Sequence, residues 1–489
     1  MNLPEEVQTV ITALTRAGFE AYAVGGCVRD LLLGTQPKDW DVTTSANPEE
    51  IQKVFPNSFY TNNFGTVTVR MPGKPIEEIE VTTYRIDAEY NDQRHPDSVS
   101  FTTSLKEDLA RRDFTINALA MSPGKQNGLK DSVIIQDMTI IDPFGGLKDL
   151  HDQTIRAVGV ASERFSEDAL RLMRAVRFSA QLGFKIEENT LKGVTEYAPA
   201  ISAVSHERIR DELLKIVMSK NPEKGLNILQ ETGLLAIILP EVQEGVGVGQ
   251  NKHHIYPVFD HCVKSLQFAA HYDYPMHVRL AALFHDIGKP RTKRLQGNDY
   301  TFYAHDIVGA HMTEKLMERL KFPANLTKQV SHLVRQHMFY YDVGKVTPAG
   351  ARRLLRRVGK EHFDDLIKLR IAERKGSGVP KAEPYRLRHL QFMVEKASQE
   401  PISVGQLAIS GTDLVSDLGM RPGPIFGGIL NALLAEVLED PKKNTKDYLL
   451  ERAKALQDAS PAELKALGEA AILEEEKKKE DEIKRKYHV

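Results

Sequence analysis

Cysteine is nearly absent: only Cys27 and Cys262 occur in a chain of 489 residues. Two thiols so far apart make no disulfide framework, so a reducing, cytoplasmic setting is expected. Long apolar runs are missing as well, and a bilayer needs about 18 such residues in a row. The N-terminal MNLPEEVQTV has no basic segment leading into an apolar one. Neither a membrane span nor a signal peptide is therefore expected. Net charge is close to nil, formally −2. No global basic field attracts polyanions, and any nucleic-acid site must be a local patch. No repeat at solenoid spacing is present. What remains, 41% hydrophobic and 27% charged residues, is the composition of a soluble globular protein. The length suits roughly three or four domains of ~100–200 residues.

The chain is organised around Ala23 to Val42, AVGGCVRDLLLGTQPKDWDV. It reads as strand, Gly-Gly turn, helix, loop, strand. Gly25-Gly26 at a strand-to-helix junction lets backbone N–H groups approach a phosphate, and the helix dipole favours the anion. Arg29, in the first turn of a helical pattern over Val28 to Leu33, adds a planar donor fork. The returning strand carries Asp39-Trp40-Asp41. Alternate strand residues share a face, so both carboxylates point one way and Trp40 into the core. Two neighbouring carboxylates repel each other, and a divalent cation such as magnesium, completed by water and substrate phosphate, reconciles them. A β-turn followed by an acidic loop is the plainer alternative. The combined pattern GGxVRDxxLG with DxD is more specific than either part.

Around this stretch, Val7, Ile11, Leu14 and Ala17 predict an amphipathic helix. Asn47 opens a helix with Asn-Pro-Glu-Glu. Phe64–Val69 and Ile79–Tyr84 alternate as half-buried strands. Glu80 fits either a third carboxylate of the site or a solvent-facing strand position. Asp87 to Thr102 is polar and turn-rich, a loop across a site mouth or a plain surface excursion. Leu109 to Ala118, LARRDFTINA, suggests phosphate or ribose contacts at a helix start. Asn127 to Met138 reads as a small insertion, and IDPFGG at 141–146 as a closing turn. Ser166 is expected to cap a helix EDALRLMRAVRF. Ala169, Leu172, Met173 and Val176 share one arc of it. Glu167, Asp168, Arg171, Arg174 and Arg177 share the other, a solvated face or a binding one.

The segments GGCVRDLLLG, DWD, RRDFTIN and EDALRLMRAVRF, in this order, resemble the class II tRNA nucleotidyltransferases, the CCA-adding enzymes, whose superfamily includes bacterial poly(A) polymerases. The likeness covers residues from about 20 to 240. It implies an α+β fold: a polymerase-beta-like nucleotidyltransferase head followed by all-helical neck, body and tail. It implies Mg2+ on Asp39 and Asp41, and a triphosphate held by Gly26, Arg29 and Arg112. It implies base reading by Asp168 and Arg171, with Arg174 and Arg177 on the nucleotide. The implied reaction is template-independent addition of CMP and AMP to the tRNA 3′ end from CTP and ATP. The pairing has a physical basis. Cytosine and adenine each present an amino donor beside a ring-nitrogen acceptor, which suit a carboxylate and a guanidinium respectively. Uracil and guanine reverse that order and leave groups unpaired, and rejection of that kind reaches up to ~10⁴-fold.

A second constellation lies downstream in QNKHHIYPVFDH (250–261), HVRLAALFHDIGKP (277–290), YAHD (303–306) and RQH (335–337). It resembles the HD superfamily of metal-dependent phosphohydrolases. His261, His285 and Asp286 are its foremost candidate metal ligands, and His305, His337 and Asp342 further ones. An RNA-holding helical module with a vestigial site is the alternative. Arg352, Arg353, Arg356, Arg357 and Lys360 make a basic stretch, either a solvated helix face or, in a tRNA enzyme, a phosphate-contact surface. Residues 376 to 386 read as a linker, and Ile409 to Gln457 as a small helical tail. The closing EEEKKKEDEIKRKYHV has no apolar stripe and reads as frayed or disordered. The expected domains are a head at 1–150, a neck at 151–220, a body with the HD domain at 221–385 and a tail at 386–489.

Three alternatives stand beside CCA addition. An A-only enzyme fits the same motifs, whereas a CC-only one is disfavoured by the full-length loop between Tyr84 and Leu105. A poly(A) polymerase is disfavoured because residues 60–70 lack a basic, aromatic insertion. A phosphohydrolase working only at the HD site leaves the paired carboxylates unexplained.

Overall fold

The first apolar stripe becomes the helix Glu5–Arg16, with Val7, Val10, Ile11 and Leu14 buried, in a computed structural model of the chain. Residues 2–62, 65–87, 99–125, 130–250, 255–297, 299–339, 342–343, 346–378, 385–398 and 404–488 are described. Contacts divide the chain into two units: Met1–His337 with Lys368–Pro380, and Met338–Ile367 with Lys381–Val489.

The first ten strands of the first unit are β1 (Ala21–Val24), β2 (Asp41–Thr44), β3 (Ser58–Asn62), β4 (Thr66–Arg70), β5 (Glu78–Thr83), β6 (Arg85–Asp87), β7 (Val99–Phe101), β8 (Ala120–Pro123), β9 (Ser132–Ile135) and β10 (Met138–Ile141). Eight form one sheet in the order β3-β4-β5-β2-β1-β8-β10-β9. The central β1 runs antiparallel to β2 and β8, while β2 runs parallel to β5. Every residue of β1 is buried, which accounts for its unbroken apolar sequence AYAV. A capping box between Asn47 and Glu50 starts the helix Pro48–Val54, as Asn-Pro-Glu-Glu predicts.

Two sequence expectations change here. The insertion predicted at Asn127–Met138 contributes an edge strand, because Ser132–Ile135 pairs in register with Met138–Ile141. Its Val133, Ile134 and Ile135 are a β-branched run, with no alternation to mark it as a strand among polar flanks. Of the loop predicted over 87–102, residues 88–98 lie outside the described ones, and its ends pair as β6 and β7.

The rest of the first unit is mainly helical, with two short strand pairs, Thr154–Ile155 beside Lys185–Ile186 and Arg294–Gln296 beside Asp299–Thr301. Leu170–Leu182, His206–Val217 and Pro222–Glu231 follow the sheet, then Val258–His271, Met276–Phe284, His305–Arg319 and Ala324–Gln336. Phe114, Phe165 and Phe284 are among its largest fully buried side chains. Each such burial contributes roughly 1.5–3 kcal/mol.

In the second unit the helix Pro348–Val358 buries Ala351, Leu354 and Val358 and exposes Arg352, Arg353, Arg356 and Arg357. Ile425–Glu439 packs on the long helix Pro461–Tyr487 around Leu433, Leu434, Leu449 and Leu464. The charged terminus predicted to fray is thus helical to Tyr487. Ile483 is buried, Lys396 pairs with Glu480, and Glu395 accepts from Lys486 and Tyr487. Its partners lie some ninety residues back, where no local pattern reveals them. Among the described residues no helix is long and apolar enough to cross a membrane.

Candidate functional site

The strand-to-helix junction sets the first wall of the site. β1 stops at Val24, Gly25 takes φ 84° and ψ −136°, and the helix Gly26–Leu32 begins. A Cβ on Gly25 would lie 2.9 Å from Arg112 Nη1, inside contact distance. On Gly26 it would meet only the Arg29 guanidinium, at 3.6 Å. The steric demand for glycine therefore falls on Gly25, next to the Gly26 that the motif singled out.

The acidic pair sits slightly differently from the sequence expectation. β2 begins at Asp41, so Asp39 and Trp40 precede the strand. The reason is register: β1 offers its last partner to Val42 through Ala23, and β5 begins pairing at Asp41 through Glu80. Trp40 is nonetheless buried, at 7% exposure. Asp39 and Asp41 line one open cavity of about 560 Å³, together with Gly25, Gly26, Arg29 and Arg112. Burial pushes the Asp41 carboxyl above its ordinary range; Arg112 opposes this and Asp39 adds to it. Burial, then Asp41 and Asp39, push Glu80 up too. Asp41 and Glu80 thus both gain proton affinity from burial and from neighbouring carboxylates, the electrostatics of a site suited to a cation.

The opposite wall is a web of arginines. Arg29 Nη1 donates to Asn117 Oδ1 at 2.7 Å, and Asn117 Nδ2 donates to Asp113 Oδ1 at 3.0 Å. Arg174 Nε donates to the other Asp113 oxygen at 2.7 Å. Burial would raise the Asp113 carboxyl, but Arg174 and Asn117 hold it down to about 2. This chain of contacts ties the Gly-Gly helix to the helix Leu170–Leu182. Arg177 donates to the buried Glu212 at 2.9 Å. Burial, then the charge of Arg174, bring Arg177 down to about 10. The guanidinium carbons of Arg177, Arg29 and Arg174 stand 4.1, 5.0 and 5.4 Å from the centre of the Phe178 ring. One aromatic ring thereby stands close to three like charges gathered in a form suited to a polyanion. Arg112 lies 3.5 Å from Asp108, and its buried Nε makes no hydrogen bond among the described residues.

The predicted reading pair sits at a break. Ser166 does not cap the helix; it belongs to a separate short helix, Ala161–Glu167. Asp168 leaves helical geometry at φ −140°, ψ 104°, and its Oδ1 accepts from Leu170 N at 3.0 Å. A carboxylate two residues upstream caps better than a serine four upstream, and it interrupts the helix at the residue facing the cavity. Asp168 Oδ2 accepts from Arg208 Nη2 at 2.8 Å. Arg171 donates to Glu167 at 2.5 Å and to the carbonyls of Arg111 and Arg164 at 2.8 and 3.1 Å. Asp168, Arg171, Arg174 and Arg177 line the same cavity as Asp39 and Asp41. Sequence reasoning missed Asp113, Asn117, Phe178, Arg208 and Glu212 as members. RRDFTIN contains the first two four residues apart, a spacing that foretells a shared face; nothing local reveals the last two.

A second cluster is built from helix ends. His261 comes from Val258–His271, His285 and Asp286 follow Met276–Phe284, His305 opens His305–Arg319, and His337 follows Ala324–Gln336. His285, His305 and His337 each aim Nδ1 at a carbonyl three residues back, on Ala282, Phe302 and Val334, at 2.9, 2.7 and 2.6 Å. A carbonyl accepts only, so Nδ1 carries the proton and Nε2 presents a lone pair. Asp286 Oδ2 lies 3.4 and 3.3 Å from Nε2 of His261 and His285. Its Oδ1 lies 3.4 and 3.8 Å from Nε2 of His305 and His337. Two groups of three side chains that could each hold a metal ion, His261-His285-Asp286 and Asp286-His305-His337, therefore share one carboxylate. Burial brings His337 down to about 4, keeping its lone pair free of a proton. Burial would raise Asp286, but Lys289 at 2.6 Å and His285 hold it well below its ordinary value. Asp342, the remaining candidate, lies in the second unit, where it accepts from Arg386 at 2.7 Å.

Residues 21–156 match the family model of the poly A polymerase head domain, 183–245 that of the probable RNA and SrmB binding site of polymerase A, and 258–372 that of the HD domain. Fold and site thus define a polymerase-type nucleotidyltransferase carrying an HD domain. Over 461 residues the chain is 33% identical to the CCA-adding enzyme of Enterococcus faecalis, spanning 92% of this chain and 95% of that one. It is 34% identical over 472 residues to the CCA-adding enzyme of Ligilactobacillus salivarius, spanning 93% and 98%. The crystal structure of the Bacillus stearothermophilus CCA-adding enzyme in complex with CTP superposes with a TM-score of 0.58 at 30% identity, covering 94% of this chain and 100% of that one. The chain belongs to the CCA-adding enzyme family.

Proposed function

We propose that the protein adds CMP and AMP, from CTP and ATP, to the 3′ end of tRNA without a template and releases pyrophosphate. One observation carries the reading: Asp39 and Asp41 share a single cavity with the arginine web and with the Asp168–Arg171 pair. The relatives named CCA-adding enzymes, and the CTP complex of one of them, support it. Asp39 and Asp41 are the metal ligands; burial and the Asp39 charge raise the Asp41 carboxyl, a strain that a bound cation relieves. A magnesium ion there would supply positive charge to the attacking 3′-hydroxyl and the α-phosphate. The residues of the chain then act mainly by positioning. Gly26, Arg29 and Arg112 hold the triphosphate, with Arg174 and Arg177 neutralising its charge. Asp168 accepts from the base amino group and Arg171 donates to the adjacent ring nitrogen. The domain reading is a head at 1–150, a neck at 151–220, an HD-containing body at 221–385 and a tail at 386–489. A reducing, cytoplasmic setting is supported by Cys27 and Cys262, both buried and unpaired.

The test incubates purified protein with tRNAs ending before, within and after CC, supplying CTP and ATP singly and together. Completion of CCA from the shortest tRNA is expected. Addition of A alone, or long tails from ATP alone, would favour the two related readings. Asp39→Ala and Asp41→Ala are each expected to stay folded and to add nothing. Measurable addition by either variant would overturn the metal assignment.

A second reading concerns the histidine cluster, because its lone pairs converge on one carboxylate. His261, His285 and Asp286, with His305 and His337, bind divalent metal and support phosphate-ester hydrolysis alongside nucleotide addition.

A further inference from the structure

The two members of the reading pair carry opposite charges only three residues apart, Asp168 just before the helix Leu170–Leu182 and Arg171 in its first turn. Left alone, Asp168 and Arg171 would satisfy each other and present no free edge to a base. The contacts around them work against this collapse. Arg171 is committed on one side to Glu167 and to the carbonyls of Arg111 and Arg164. Asp168 is committed to Arg208, whose Nη2 meets Oδ2 at 2.8 Å, and to its own cap, where Oδ1 takes Leu170 N at 3.0 Å. One protein donor on each oxygen fixes the carboxylate plane, and each oxygen keeps a lone pair for a base. The cap alone leaves one donor and a soft torsion about Cβ–Cγ.

Arg208 comes from a different helix, His206–Val217, and lines the cavity itself. Its Nη1 is buried and makes no hydrogen bond among the described residues. One turn later on the same face, Glu212 grips Arg177 at 2.9 Å. This helix therefore presents a cation to the reading acid and an anion to an arginine of the phosphate side.

We propose that Arg208 is a specificity-determining positioning residue, which holds Asp168 apart from Arg171 so that the pair stays open to cytosine and adenine. The inference rests on the base-reading assignment given above. It separates two functions along one helix: Arg208 governs which base is accepted, and Glu212 governs how firmly any nucleoside triphosphate is held.

The experiment measures kcat/KM for CTP and for UTP, and for ATP and GTP, on tRNAs cut back to the corresponding step. Wild type, Arg208→Ala, Arg208→Lys, Glu212→Gln and Asp168→Ala are compared. Arg208→Ala is expected to lower the CTP:UTP and ATP:GTP ratios by at least about tenfold, the scale of one charged hydrogen bond. Arg208→Lys keeps a single charged donor and is expected to restore part of the ratio. Glu212→Gln is expected to raise KM for all four nucleotides and leave both ratios unchanged. A purely structural role for Arg208 would lower activity with every nucleotide equally. Unchanged ratios in soluble Arg208→Ala and Arg208→Lys, with a collapsed ratio in Asp168→Ala, would overturn the proposal and leave the reading of Asp168 intact. An unchanged ratio in Asp168→Ala would overturn that reading itself.

Discussion

Replacing Gly25 and Gly26 one at a time separates a backbone requirement from a motif. Gly25 holds φ 84° and ψ −136°. Residues with a Cβ reach that region only at a cost of about 1–3 kcal/mol. The new methyl would also stand 2.9 Å from Arg112 Nη1 and 3.9 Å from Asp41 Oδ2. The guanidinium has to swing aside, away from the carboxylate whose charge it partly offsets. Gly25→Ala should therefore lose about 2 kcal/mol, lowering the melting transition of its domain by about 4–8 °C. Gly26→Ala starts from ordinary helical backbone, and its methyl meets Arg29 at 3.6 Å. Alanine in a helix gains up to ~1 kcal/mol over glycine, so this variant should melt at or above the wild type. Calorimetry of the three proteins, with KM for CTP measured alongside, makes the comparison. Equal melting of Gly25→Ala and wild type, or a lower transition in Gly26→Ala than in Gly25→Ala, would refute the steric argument.

The Asp113 carboxyl, held down to about 2 in the fold, starts from an ordinary value of 3.8. A depressed carboxylate stabilises the fold above its unfolded value and loses that contribution as pH falls through its folded one. About 2 kcal/mol should therefore vanish between about pH 4 and pH 2. In urea titrations Asp113→Asn should show its largest deficit above pH 4, and the gap should narrow toward pH 2; a deficit constant with pH would contradict the assignment. At the histidine cluster, Mn2+ added to metal-stripped protein at about 100 times its dissociation constant should stabilise the fold by ~2.7 kcal/mol. Asp286→Asn should remove that gain, because both ligand sets share this carboxylate; an undiminished thermal shift in the variant would rule out Asp286 as the bridging ligand.

What was legible in the sequence and what was not divides along the distance between partners. The Gly-Gly turn, Arg29 and the Asp39-Asp41 pair fall within seventeen residues, and their spacing alone brings them to one end of β1 and β2. The capping box at Asn47 and Glu50 was equally local. The polar arc of Leu170–Leu182 was seen as an arc, but periodicity names a face without naming what covers it. Arg171 and Arg177 are only 9% and 7% exposed, because that arc meets the head and the helix His206–Val217. Arg174 finds Asp113 across 61 residues, Arg29 finds Asn117 across 88, and Asp168 finds Arg208 across 40. Each of those choices is made by topology.

The histidine cluster combines both kinds of information. In three of its imidazoles the tautomer is set by a carbonyl only three residues back. For His285 and His337 that is a property of a histidine at a helix C-terminus, where the last carbonyls lack an amide partner and accept a side chain; His305 opens its helix and uses the turn before it. In all three the carbonyl that sets the tautomer is local, and the fold aims the lone pairs. Asp286 is placed by its neighbour His285, so one adjacent pair in the sequence supplies the carboxylate to which the remote His305 and His337 are brought. A cluster assembled this way needs few long-range coincidences, and for that reason a His-Asp dipeptide after an apolar helix carries more information than its two residues suggest.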